Sequence, residues 1–255
     1  MKVDFFVAGT QKGGTTALDV YLRRHRKLQM ASRKELHHFD NETFDWSHPD
    51  YSVLHAAFDW TVSGAVRGEC TPIYSFWPPS LSRIRDYNSK SRLIFLFRDP
   101  IERAYSHWRM EVTRKAETLS FSDAVREGRN RLDSVHPLAP IWRVASYVER
   151  GLYAAQVRRA LDLFPREQLL FLRADDLSGT PETTLKRIAE FLGIAPFDVV
   201  DPVTEHVGSN VFGPPSDLDI AYLRDMYRAD LLEFSDLTGL DVSGWLTMKR
   251  EAKTG

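Results

Sequence analysis

Apolar and polar positions follow two rhythms along this chain. "VDFFVAG" (3–9) is an apolar run, broken only by Asp4 and rich in β-branched and aromatic side chains, and it predicts a buried strand. In "TTALDVYLRRH", directly after the loop that follows it, Leu18, Tyr21 and Leu22 recur at helical spacing. "RLIFLF" (92–97) repeats the strand pattern, and "RDPIERAYSHWRM" behind it predicts a helix capped by Asp99 and opened by Pro100. Further on, "YVERGLYAAQVRRALDLF" has helical spacing, "QLLFLR" (168–173) is a third apolar strand, and "PETTLKRIAEFLG" predicts a helix starting at Pro181 and stopping at Gly193. A last amphipathic stretch, "DIAYLRDMYRADLLEFSDLTG", predicts a helix packed on the sheet. Strands alternating with helices imply an α/β fold with a mostly parallel sheet covered on both faces.

Composition narrows the setting. With 255 residues and 43% hydrophobic side chains, the chain is expected to form a single domain, 1–255, around one sizeable core. A formal net charge of −1 argues against a general polyanion binder, so no nucleic acid is expected as a partner and any anion site must be local. The single cysteine, Cys70, leaves no intrachain disulfide and makes a reducing cytoplasm the simplest setting. No signal-peptide order opens the sequence, and no apolar run approaches the roughly 18 residues of a membrane span. A soluble, cytoplasmic protein is the expectation.

The loop between the first strand and helix carries the first chemistry. Gly9 to Gly14 fits G-x-x-x-x-G, but Thr15 and Thr16 stand where a P-loop NTPase places lysine and then serine or threonine, and the lysine is Lys12, inside the loop. Glycines let backbone N–H groups approach a phosphate, and the helix beginning near Gly14 adds its positive end. A lysine projecting from within the loop suits a ligand with one phosphate at the loop and a second, transferable anionic group beside it. The bland alternative is a tight strand-to-helix connection with no ligand.

"GTQKGGTTALDVYLRRH" resembles the 5′-phosphosulfate loop of the sulfotransferases that use 3′-phosphoadenosine 5′-phosphosulfate (PAPS), in particular the branch with the heparan sulfate sulfotransferases. "RLIFLFRDPIERAYSHW" is similar to that family's second motif, "KELHHFD" (34–40) to its glutamate–histidine segment, and "GECTPIYSF" (68–76) to its Glu-x-Thr-Pro-x-Tyr segment. The likeness runs over residues 3 to 195. It implies a single-domain, three-layer fold of P-loop type, with PAPS as sulfuryl donor and no metal. Lys12, Gly13, Gly14, Thr15 and Thr16 would hold the 5′-phosphosulfate, and Arg98 and Ser106 the 3′-phosphate. Glu35 would be the general base, its pKa raised by partial burial toward the working pH. His37 is the assisting or alternative proton acceptor, since an extended 34–40 segment puts Glu35 and His37 on one face and turns His38 away. Without these motifs, Arg98 reads as a partner for Asp99 or another surface acid, and Glu35 as a solvated acid beside Lys34.

Two positions depart from the family. Cys70 stands where the resembling enzymes carry lysine, so either Lys12 acts alone or Lys34 or Arg33 reaches in. The family's basic Lys-Gly-Arg loop is replaced by "EHVGSNVFGPPSDLD" (205–219), which has no lysine or arginine and leaves Gly208, Ser209 and Asn210 as hydrogen-bonding substitutes. Phe39, Phe44, Trp46, Tyr74, Phe76, Trp77 and Trp108 are mostly packing by the bland reading, although some would line a pocket for a small-molecule or glycan acceptor. Residues 112–147, with mixed charge and no clean periodicity, are expected to form a lid over the acceptor. The resulting expectation is a sulfotransferase acting on a hydroxyl or amine of a glycan, lipid or small molecule. The competitors are an ATP-dependent P-loop kinase, disfavoured by the missing Gly-Lys-Ser/Thr register, and an inactive nucleotide-binding relative.

Overall fold

The computed structural model describes residues 1–198, 203 and 212–249. Its strands are β1 (Phe5–Gly9), β2 (Leu28–Met30), β3 (Val66–Cys70), β4 (Arg92–Phe97) and β5 (Leu169–Arg173). Its α-helices are α1 (Thr15–Arg23), α2 (Ser52–His55), α3 (Ser80–Tyr87), α4 (Pro100–Thr113), α5 (Phe121–Val125), α6 (Ile141–Ala145), α7 (Ala154–Leu163), α8 (Ala174–Gly179), α9 (Pro181–Leu192) and α10 (Asp217–Thr238). The chain falls into two compact units, Met1–Phe97 with Arg159–His206, and Arg98–Arg158 with Val207–Gly255.

The first unit holds the whole sheet. All five strands are parallel, in the order β2-β3-β1-β4-β5. β1 is central, and every residue of "FFVAG" is buried, which is why the strand reads as a continuous apolar run. Phe5 and Val7 join Leu18 and Leu22 of α1, Leu177 of α8 and Leu185, Ile188 and Leu192 of α9 in one apolar cluster. Phe6 points the other way, with its ring 5.4 Å from Phe39 and 6.4 Å from Tyr87 of α3. The chain leaves β1 toward β2 and β3 on one side, then crosses to β4 and β5 on the other. In such sheets ligands collect beyond the carboxyl ends of the strands where this reversal occurs. The loop after β1 stands there.

β2 and β3 have no counterpart among the apolar runs of the sequence. β2 is only three residues long, and β3, "VRGEC", carries Arg67, Gly68 and Glu69 where a buried strand usually carries aliphatics.

The second unit contains α4, α5, α6 and α10. Asp99 caps α4 as the sequence predicts, accepting from Ile101 N at 2.9 Å and Glu102 N at 3.1 Å. Its other oxygen accepts from Thr247 N and Oγ1, both at 2.8 Å. The predicted helix over 147–164 begins only at Ala154, because Asp230 of α10 takes the N–H groups of Tyr153 (2.6 Å) and Ala154 (3.2 Å) and so fixes its first turn. Within 112–147 the chain forms α5 and α6, and the Arg131–Glu117 pair at 2.7 Å ties the segment together.

Ile188 is fully buried in the cluster between α9 and the sheet. Ile188→Ala is expected to cost about 2–5 kcal/mol, the transfer and cavity cost of a large-to-small core change, seen as a lower urea midpoint with unchanged slope.

Candidate active site

The glycine loop is tied down at both ends. Thr10 donates from its N–H and its hydroxyl to Leu96 O in β4, each at 2.9 Å, and Gly13 N closes onto Thr10 O at 2.9 Å. Gly13 is obligatory: a Cβ there would lie 2.4 Å from Leu96 O. Gly14, at φ 84°, turns the chain into α1. Lys12 takes φ 66°, a left-handed conformation unusual for lysine. α1 then starts without a side-chain cap and without an acid in its first turn, whereas Asp99, Ser120 and Ser216 cap α4, α5 and α10. A helix start without a side-chain cap, its positive end and a lysine in the loop fit an anionic group. Thr15 is buried and Thr16 exposed.

The segment after β2 is built on the end of β3. Three successive N–H groups bond to three successive residues there: Glu35 N to Cys70 O at 2.9 Å, Leu36 N to Glu69 Oε1 at 3.2 Å, and His37 N to Thr71 Oγ1 at 3.5 Å. Glu35 and His37 both have positive φ, 60° and 54°. Each left-handed non-glycine residue costs on the order of 1–3 kcal/mol, which these contacts offset. The segment is therefore not extended, yet Glu35 and His37 meet and His38 does turn away. His38 is buried against Phe39, Phe44, Trp46 and Tyr51, and burial drops its pKa to about 4.

Charges alternate along this segment. Asp40, fully buried, contacts His37 Nδ1 at 2.9 Å; His37 Nε2 lies 3.7 Å from Glu35 Oε2; and Glu35 Oε1 lies 2.5 Å from Lys34 Nζ. The bond to Asp40, and then Glu35, raises the His37 imidazole to about 9, so the ring is protonated at neutral pH. His37 and then Lys34, working against burial, hold Glu35 at about 2. This is opposite to the expected rise, because two cations outweigh partial desolvation. Beneath them Glu69 is fully buried and desolvation pushes it up to about 7, while Thr71 and Leu36 hydrogen-bond to it.

Cys70 joins the two parts of the first unit. Its carbonyl holds Glu35, and its Sγ, fully buried, lies 3.8 Å from Thr15 O at the start of α1. Burial pushes this thiol well above its ordinary value, so it is neutral. Lys34 is the cation next to it: burial works against the ammonium, and the carboxylates of Glu35 and Asp19 act to hold its charge.

Arg98 and Ser106 belong to the second unit, Arg98 just before α4 and Ser106 within it, both half-buried. Arg98 Nε pairs with Glu102 at 2.9 Å rather than with Asp99, whose oxygens are taken by the cap and Thr247. Gly208, Ser209 and Asn210 lie outside the described residues. Sequence reasoning gave Asp40, Glu69 and Thr71 no role in proton handling. Asp40 three residues after His37 was the one available signal; the others become visible only once β3 is placed beside this segment.

Fold and loop together define an α/β protein with an all-parallel five-stranded sheet and a glycine loop at its first strand-to-helix turn. The chain belongs to the sulfotransferase domain family, whose model matches residues 2–211. It is 30% identical over 188 residues to heparan sulfate glucosamine 3-O-sulfotransferase 3B1 of Mus musculus, a match covering 74% of this chain and 45% of the relative. Heparan sulfate glucosamine 3-O-sulfotransferase 6 of Mus musculus is 31% identical over the same length, with 51% of it covered, so the chain spans about half the length of these relatives. Among solved structures, a sulfotransferase from Alicyclobacillus acidocaldarius superposes with a TM-score of 0.80 at 27% identity, covering 96% of this chain and 99% of that one.

Two expected outcomes test this geometry. Glu69→Gln keeps an oxygen for Leu36 N–H and should melt close to wild type, whereas Glu69→Leu strands that donor and should cost about 1–3 kcal/mol by thermal denaturation. Imidazole NMR should give His37 a midpoint near 9 that falls toward the ordinary 6.5 in Asp40→Asn. Because the folded value is raised, the stabilisation is complete below pH 6.5 and is lost as pH rises through 9.

Proposed function

We propose that the protein is a PAPS-dependent sulfotransferase acting on a hydroxyl or amine. The observation that carries this reading is the uncapped start of α1 with Lys12 left-handed in its loop, joined through Cys70 to a carboxylate flanked by two cations. PAPS supplies a sulfuryl group whose bond to the 5′-phosphate breaks as the acceptor attacks sulfur. Lys12 and the N–H groups of Gly14, Thr15 and Thr16 receive the charge left on that phosphate, while Gly13, whose N–H is taken by Thr10 O, closes the loop beneath it. Glu35 takes the acceptor's proton. His37, already protonated, serves as the fixed cation between Glu35 and Asp40 rather than as the base. Arg98 and Ser106 carry over as 3′-phosphate ligands on the resemblance of "RDPIERAYSHW", and the acceptor class ranges over glycans, lipids and small molecules.

Calorimetric titration of metal-free protein with adenosine 3′,5′-bisphosphate (PAP), beside ATP with Mg²⁺, tests the reading. Metal-independent binding of the bisphosphate, weakened about tenfold or more in Lys12→Ala through loss of a charge-assisted contact worth ~1.5–3 kcal/mol, is expected. Binding of ATP with Mg²⁺ alone would move the protein to phosphoryl transfer. Binding of the bisphosphate without PAPS turnover on any hydroxyl or amine acceptor would leave a nucleotide-binding relative.

A further inference from the structure

Glu35 poses a chemical problem. A carboxylate held near pH 2 by His37 and Lys34 is a weak base, and general-base catalysis works best when the pKa lies near the operating pH. His37 is fixed in place by Asp40 at 2.9 Å, and the backbone of Glu35 is fixed by Cys70 O. Lys34 is different. Its ammonium sits on a four-carbon stem with rotatable bonds, and Glu35 is its hydrogen-bonded carboxylate, at 2.5 Å.

The shared carboxylate bounds how far that ammonium can lie from the transfer centre. A general base lies about 2.6–3.2 Å from the atom it deprotonates. That atom lies about 3–3.5 Å from the centre it attacks. Sulfur must then come within roughly 6 Å of the Glu35 carboxylate, and Lys34 Nζ is 2.5 Å from that same carboxylate. Cys70 ties this segment to the start of α1: its carbonyl accepts from Glu35 N at 2.9 Å and its Sγ lies 3.8 Å from Thr15 O, directly after the glycine loop. Arg33, the next basic residue, is exposed.

We infer that Lys34 is a partner-switching cation: it pairs with Glu35 in the free protein and turns to a sulfuryl oxygen when the donor is seated, which removes one of the two cations on Glu35 and makes it a stronger base. This rests on the reading of the glycine loop as a PAPS site. The switch exchanges one hydrogen bond for another and moves no proton. In the transfer itself the acceptor–sulfur bond forms, the bond from sulfur to the bridging oxygen breaks with its electron pair left on the phosphate, and the acceptor's proton goes to Glu35. A lysine does both jobs because it is a compact charge on a flexible stem.

PAP and PAPS separate the two states, because near neutrality a phosphate monoester carries about the same charge as a phosphosulfate but lacks the sulfuryl group. Calorimetry on wild type and Lys34→Met should show PAPS affinity falling by about tenfold and PAP affinity by less than about twofold. In wild type, ¹³C-carboxyl NMR should show the Glu35 midpoint rising on addition of PAPS and staying put with PAP; this needs no variant, and Lys34→Gln replaces Lys34→Met should the latter not fold. Equal weakening of both ligands, or of neither, overturns the inference while leaving the PAPS site intact. An unmoved Glu35 midpoint with PAPS bound does the same. Failure of wild type to bind either ligand removes the PAPS reading and this inference with it.

Discussion

The end of β3 is the constraint on which the candidate site depends. Cys70 O, Glu69 Oε1 and Thr71 Oγ1 take three consecutive N–H groups of a segment that two left-handed residues make unfavourable by itself. A parallel sheet makes this arrangement possible, because the carboxyl ends of its strands open onto one edge. β3 is hydrogen-bonded to β1, with Val7 opposite Cys70, so the segment carrying Glu35 and the loop carrying Lys12 are registered to each other through the sheet. Both depend on the same core. Loss of packing between the sheet and its helices would loosen the two loops together.

Burying Glu69 is costly, and its cost has a structural explanation. A carboxyl removed from water is driven toward its neutral form, here to about 7. An aliphatic residue would suit the strand better but could not accept from Leu36 N–H or Thr71 Oγ1. The strand accepts a local conflict with its own burial so that the neighbouring segment holds one shape. Residues of this kind, polar where pattern demands apolar, are where functional constraint overrides the rules of strand formation.

That conflict also explains what was legible beforehand. β1, β4 and β5 are buried on both faces and read as "FFVAG", "RLIFLF" and "LLFLR"; α4 announced itself through Asp99 and Pro100. β3 did not, because "VRGEC" trades aliphatic side chains for Arg67 and Glu69, and β2 is too short to show a period. The pairing of Glu35 with His37 was expected from an extended segment, and the structure reaches it through alternating left-handed turns instead. The direction of the Glu35 shift was missed because sequence shows that a carboxylate has cationic neighbours but not that both of them will face it. Asp40 was missed for the same reason. Its role depends on His37 pointing back along the chain.

Cys70 then takes on a different meaning. A thiol at the position where the resemblance of "GECTPIYSF" leads one to expect lysine looks at first like the loss of a cation. In this chain the side chain at 70 is fully buried between β3 and the start of α1, its Sγ 3.8 Å from Thr15 O, where an ammonium would have to give up its hydration. Lys34, the cation proposed for the transfer, has a side chain that is 20% exposed and a charge balanced by Glu35. With Lys34, Glu35, His37 and Asp40 alternating in sign, the segment is neutral as a whole and every member has an opposite charge beside it. A second ammonium at position 70 would break that balance by repelling Lys34. The small neutral thiol avoids that conflict, and the ammonium of this segment is carried by Lys34, one residue before Glu35.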